Sequence, residues 1–335
     1  MSPTEASAGR SLRELPKCHL HLHLDGSFPR AWVRELAARQ GMEFAPPPDG
    51  FADTDEFFRR YVEVPALVRT LDDLAAGCRA LVESEAANGV VYMEPGVEPQ
   101  LYSPRLGSLD DVLSAMWDGF QDAAGATGVE VGCLIGVNTD FSVELAETVA
   151  AVAAARAGDG VVAFGTAGFV EPAGLHRFRR AVGVARSAGL RIVAHAGQTG
   201  GPESVTEALD ELHPDRIAHG IHAARDPSVL SRLAEGGVVC DVALTSNVAL
   251  RVVESYERHP LPKMLDAKVP VTLNADDELW FGSNIVHEYE LARDVFGLSE
   301  EALASIALAG TRGTGASPTA LERCSTGIEA WLSGG

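Results

Sequence analysis

Eight short apolar, β-branched runs recur along the chain, each bounded by Gly, Asp or Pro. They are Cys18–Leu24, Gly89–Glu94, Val129–Val137, Gly160–Thr166, Leu190–Ala196, Arg216–Ile221, Gly237–Ala243 and Val269–Asn274. Near-continuous apolar runs suit parallel strands covered on both faces. Helical patterns separate them: Leu71–Asn88, Leu109–Ala124, Val143–Ala157, Gly174–Ala188, Pro202–Leu212 and Asp226–Glu235, several ending at Gly. Strand–helix alternation with eight strands predicts an α/β fold, a (β/α)8 TIM barrel, and a doubly wound sheet is the alternative. Eight such units use up the length, so residues 12–335 are expected to form one barrel domain after a flexible N-terminus, 1–11.

Residues 32–74 are too long for one βα connection. They hold a helical pattern at Trp32–Gln40, a turn at Pro46–Pro48, and the aromatics Phe51, Phe57, Phe58 and Tyr61. This helical insertion after strand 1 reads either as a lid whose Phe57, Phe58 and Tyr61 close over a ligand ring, or as a surface hairpin of helices packed on itself. Glu301–Ala309 and Leu321–Leu332 read as terminal helices.

Charge narrows the partners. With 27 basic and 47 acidic residues the net charge is −20. Nucleic acid and anionic membranes both require a basic face, so neither is expected as a partner. No apolar run approaches a membrane span and no secretory signal opens the chain. Five scattered cysteines without CxxC spacing read as reduced thiols. A cytoplasmic protein is the expectation, its oligomeric state open.

Barrel active sites lie at the C-terminal ends of the strands, and the unusual polar residues fall there. Strand 1 carries His19, His21 and His23, which alternation places on one side. Strand 5 ends in His195 and then Gln198, strand 6 in His219, and strand 8 in Asp276-Asp277. Imidazoles and one carboxylate with an open position are the ligand set of a catalytic zinc. Each residue alone could be a satisfied core histidine, and Asp276-Asp277 could cap the next helix. Four strand ends agreeing, inside a barrel otherwise filled with Val, Ile and Leu, favour the metal. His176, His213, His259 and His287 are expected at the surface, with His222 within reach of the mouth.

These motifs resemble the adenosine deaminase family of metal-dependent hydrolases, which includes adenosine, adenine and aminodeoxyfutalosine deaminases. The similarity runs from about Leu15 to Ala309. It rests on Pro16-Lys17 with His21-Leu22-His23-Leu24-Asp25-Gly26-Ser27, on His195-Ala196-Gly197, and on Gly200-Gly201-Pro202-Glu203-Ser204-Val205. Asp215-Arg216-Ile217-Ala218-His219-Gly220, Thr245-Ser246-Asn247, His259-Pro260 and Thr272-Leu273-Asn274-Ala275-Asp276-Asp277 complete it. The resemblance implies one zinc per chain on His21, His23, His195 and Asp276. It implies that His219 orients or deprotonates the attacking water, that Asp277 binds a purine near N7 and Gly168 donates to N3, and that Asp25 meets a ribose hydroxyl. His19 stands where Glu is common and reads as structural. The implied substrate is an adenine-type nucleoside or base, attacked at its amino-bearing carbon with His219 as base and Gln198 holding the ring nitrogen.

Some positions depart from the family. Gln198 stands where the family has a Glu that protonates the ring, and an amide only donates a hydrogen bond. Strand 2 reads Glu94-Pro95-Gly96-Val97 where an Arg near Gly96 is usual, Ala243-Leu244 precede Thr245 in place of Cys-Pro, Phe169-Val170 replace an acidic pair, and Glu278 replaces Pro. Three readings stay open: a deaminase whose Glu was exchanged for Gln198, a divergent zinc hydrolase with altered substrate or reaction, and a non-catalytic nucleoside-binding barrel.

Overall fold

The eight apolar runs become eight parallel strands: β1 (Lys17–His23), β2 (Val90–Val97), β3 (Cys133–Asn138), β4 (Val161–Ala167), β5 (Arg191–Ala196), β6 (Arg216–His219), β7 (Val239–Val242) and β8 (Val271–Leu273). The structure is a computed structural model and describes residues 9–45, 50–52, 54–168 and 174–334. Each strand pairs with the next in chain order, and the two-residue segment Glu130–Val131 also pairs with β2. The sheet curls until its edges meet. The His23 amide donates to the Asp276 carbonyl at 2.9 Å and the Asp276 amide to the His21 carbonyl at 3.1 Å. The expected (β/α)8 barrel is therefore present.

Connecting helices begin at side-chain caps that the sequence supplies: Thr70, Ser108 with Asp111 in a capping box, Ser142 and Asp226. The insertion contains helices Arg30–Arg39, Thr54–Tyr61 and Glu63–Leu67. The Pro46–Pro48 turn, Phe169-Val170 and residues 1–8 of the expected flexible terminus lie outside the described residues. Three helices absent from the sequence expectation follow β7 and β8: Leu244–Ala249, Leu261–Asp266 and Ile285–Asp294. Among the described residues no helix is long and apolar enough to cross a membrane, and all five cysteines are free and buried.

Strand 1 departs from simple alternation. The amides of Leu20 and His21, consecutive residues, both donate to Asn274 Oδ1, at 2.8 and 3.0 Å, and the β1–β2 register shifts between His19 and Leu22. Two neighbouring residues therefore oppose one partner, as in a bulge. His19 is turned away from His21 and His23. Its Nδ1 pairs with Glu85 Oε2 at 2.6 Å, and its Nε2 accepts from the Ala275 amide at 3.0 Å. The expectation of three histidines on one side fails for this reason, while the structural role expected for His19 holds.

Leu134, Ala163, Val193 and Ala218 of β3 to β6 pack together as an apolar cluster, and a buried ionic group joins β2, β6 and β7. Arg216 Nε bonds Asp241 Oδ2 at 2.8 Å and its Nη2 bonds Glu94 Oε2 at 2.6 Å, all three fully buried. The two carboxylates hold the guanidinium pKa above its ordinary value despite burial. Removing one partner leaves buried charge uncompensated. Arg216→Ala should therefore cost about 3–5 kcal/mol in urea unfolding; a loss under about 1 kcal/mol would show that the group does not hold β2, β6 and β7 together.

Candidate metal centre and pocket

Four imidazoles and a carboxylate converge at the strand ends. His21 and His23 project from β1, His195 from β5 and His219 from β6, with ring centroids 4.6 Å apart for His21–His219 and 5.0 Å for His21–His195. Nε2 of His21 and of His23 each lie 3.2 Å from Asp276 Oδ1. Both strand ends that supply His219 and Asp276 adopt left-handed backbone, at φ 68° and 62°. Such conformations cost about 1–3 kcal/mol in a non-glycine residue and gather at functional sites. Here they turn the side chains inward.

The outer nitrogens are fixed by backbone. His21 Nδ1 lies 3.0 Å from the Asp241 carbonyl and His195 Nδ1 lies 2.6 Å from that of Thr166. A carbonyl only accepts, so each Nδ1 carries the proton and each Nε2 presents a lone pair to the centre. His21 Nε2 is buried without a hydrogen-bond partner. Burial and the neighbouring imidazoles hold His195 well below its ordinary pKa. Burial alone would raise Asp276, but the imidazoles of His21, His23 and His219 hold it well below the usual carboxylate range. Ser246 Oγ donates to its Oδ2 at 2.6 Å. Asp276 in turn draws His21 above its ordinary pKa against the effect of burial, so the Nε2 side of the centre favours a positive charge, and His21, His23, His195 and Asp276 place one ligand atom each within 4.8 Å of the others. This donor set suits a divalent transition metal with its outer partners in place.

A family model, "Adenosine deaminase", matches residues 16–325. The chain belongs to the adenosine deaminase family. Family membership makes it a metal-dependent hydrolase of C–N bonds. It is 35% identical over 297 residues to an adenine deaminase of Chelativorans sp., covering 87% of this chain and 91% of that one. It is 34% identical to an aminodeoxyfutalosine deaminase of Streptomyces coelicolor, covering 88% and 78%. The crystal structure of an adenine deaminase from Arthrobacter aurescens superposes with a TM-score of 0.86 at 30% identity, over 95% of this chain and 99% of that one.

Beside the centre lies a pocket of about 400 Å³, counted together with the solvent-open space at its mouth. Its walls include Phe57, Phe58 and Tyr61 from the insertion, together with Gly168, Gln198 and Asp277. The aromatics expected to close over a ring thus face the cavity. Phe57 also stacks on Phe281 at 5.5 Å, so both readings of the insertion describe part of its packing. Asp277 stands at the start of helix Glu278–Phe281 but makes no capping bond. Burial and the nearby charge of Asp276 push it well above the usual carboxylate range. Its position requires Gly26, where a Cβ would lie 1.7 Å from Asp277 Oδ1. Gly168 is left-handed at φ 74°, and a Cβ there would meet Asn138 Oδ1 at 2.3 Å. Asp25 is buried outside the pocket wall, where the Tyr102 hydroxyl donates to its Oδ1, and burial raises it to about 7.

His259, expected at the surface, is buried, because it completes a chain of hydrogen bonds behind His219. The Leu261 amide donates to His259 Nδ1 at 3.1 Å. Burial drops the His259 pKa to about 3, so the ring is neutral and its proton sits on Nε2. That proton goes to Asn247 Oδ1 at 3.0 Å, and Asn247 Nδ2 donates to His219 Nδ1 at 3.2 Å. His219 is itself held below its ordinary pKa by burial and His21. Its neutral ring therefore carries hydrogen on Nε2, 3.8 Å from Asp276 Oδ2. In this tautomer His219 faces the centre as a donor, which suits orienting the attacking water, one of the two roles expected of it. His222 is also buried, with Nδ1 on the Gly200 carbonyl at 2.8 Å, and it lines a separate cleft.

Two supports escaped the sequence. Glu288 accepts from the amides of Leu244 and Thr245, at 2.7 and 3.2 Å, and so fixes the short helix bearing Ser246 and Asn247. Glu98, one residue past β2, lines the pocket at 4% exposure.

Proposed function

We propose that the protein is a zinc-dependent deaminase of an adenine-type base or nucleoside. The observation that carries this reading is the inward aim of the Nε2 lone pairs of His21 and His195 at Asp276, beside a pocket walled by aromatics. The deaminase names of its relatives support the reaction class. Zinc on His21, His23, His195 and Asp276 would supply Lewis acidity that makes a water acidic near neutral pH.

The chain's own groups do the rest. The Nε2–H of His219 orients the attacking water, and Asp276, kept as a carboxylate, accepts its proton. Gln198 donates from its amide to the ring nitrogen beside the attacked carbon. Asp277, held in its acid form, hydrogen-bonds the opposite edge, and Gly168 forms part of the wall beside the ring. Phe57, Phe58 and Tyr61 exclude water from the ring faces. Asp25 reaches a sugar hydroxyl only after parting from Tyr102.

Metal analysis of the purified protein tests this first. About one equivalent of zinc per chain is expected, lost on His195→Ala. Less than about half an equivalent, with no gain on adding zinc, would leave a barrel that binds purines without hydrolysing them. Ammonia release across adenine, adenosine and their N6-substituted forms then identifies the reaction.

A further inference from the structure

Deamination leaves the pocket carboxyl of Glu98 without a task. In the eight-strand order β2 stands across the barrel from β6, so Glu98 faces the cavity from the side opposite His219. Asn138, at the end of β3, lines the wall beside it. Gln100 fixes the carboxyl in place: its Nε2 donates to Glu98 Oε1 at 3.2 Å and to the Gly136 carbonyl at 2.9 Å.

A flat adenine ring with its amino-bearing carbon at His219 and Asp276 turns its far edge toward Glu98. In a free base that edge offers N3, an acceptor, next to N9–H, a donor. A carboxylic acid is its complement, since the hydroxyl donates and the carbonyl oxygen accepts. In a nucleoside N9 carries the sugar, and the carboxyl would keep its bond from Gln100 but lose the paired contact with the ring edge. We infer that the substrate is the free base and that Glu98 selects it by pairing with the N3/N9 edge; this rests on the deaminase reading of the pocket.

Two further observations agree. Burial, with the charges of Asp25 and Asp140, pushes Glu98 up to about 8, so it is an acid at neutral pH. The other groups sensing its charge, Asp277 and Tyr61, are themselves pushed up by burial and present no cation to ionise it. Asp25, the acceptor a ribose hydroxyl would need, is engaged by Tyr102.

The test compares adenine with adenosine in turnover, and hypoxanthine with 9-methylhypoxanthine in calorimetric binding, on the zinc-loaded protein. The native protein should favour adenine by about 10²-fold in kcat/KM and hypoxanthine by about 10-fold in Kd. Glu98→Ala should collapse both ratios toward one. Glu98→Gln should retain part of them, because an amide also donates and accepts. A native preference for adenosine, or an alanine variant that weakens both members of each pair equally, overturns the inference and leaves deamination standing. Tenfold discrimination in binding with neither amino compound turned over upholds the edge assignment and sinks the deaminase reading.

Discussion

Replacing His219 by alanine is expected to lower kcat about 10²–10³-fold while the protein keeps its full zinc content. The ring supplies a preorganised donor aimed at the attacking oxygen, and removing one such donor from a dry site costs this much because no water replaces it in the same geometry. Its Nε2 approaches Asp276 at 3.8 Å, farther than the 3.2 Å of His21 and His23, so it stands beside the ligand set and metal should survive its loss. His195→Ala should lose metal and activity together. The hydrogen-bond chain makes a sharper claim. Asn247→Asp replaces the amide that donates to His219 Nδ1 with a carboxylate that accepts, which moves the ring proton to Nδ1 and leaves Nε2 bare. This variant should fall nearly as far as His219→Ala with zinc retained. Undiminished turnover in Asn247→Asp would return His219 to the role of base.

The eight strands were legible because a strand buried on both faces leaves an apolar run that Gly, Asp or Pro must end. The centre was legible because His21, His23, His195, His219 and Asp276 stand at strand ends, where the fold itself brings them together. What escaped was decided by partners distant in sequence. The turn of His19 away from the centre follows from Asn274 Oδ1 taking two consecutive amides of β1, and no property of the run Cys18–Leu24 encodes it. His259 looks like a loop histidine until Asn247 and the Leu261 amide close around it. Glu98 reads as an ordinary acidic residue after a strand; only the pairing of β2 between β1 and β3 carries it to the mouth. Helix Ile285–Asp294 did have a local signal, the Asn284 cap on the His287 amide, but its role, delivering Glu288 to the turn at Leu244, is tertiary.

Restoring a carboxylic acid at position 198 should have the largest gain of any single change. Attack at the amino-bearing carbon puts negative charge on the adjacent ring nitrogen, and that nitrogen must hold a proton before ammonia leaves. Gln198 is buried at the pocket wall, and its amide can stabilise the charge with a hydrogen bond but cannot transfer a proton. A positioned general acid contributes about 10²–10⁴-fold, so Gln198→Glu should raise kcat for adenine deamination by that range, with substrate affinity changed far less because the amide already makes the contact. The variant's pH profile should also gain a basic limb as the new acid ionises. An unchanged rate would mean that the ring is protonated elsewhere, and Asp277, kept in its acid form by burial and the charge of Asp276, would then deliver its proton to the nitrogen of the opposite edge that it contacts. In that case Asp277→Asn should abolish turnover in the native Gln198 background and spare the Gln198→Glu variant.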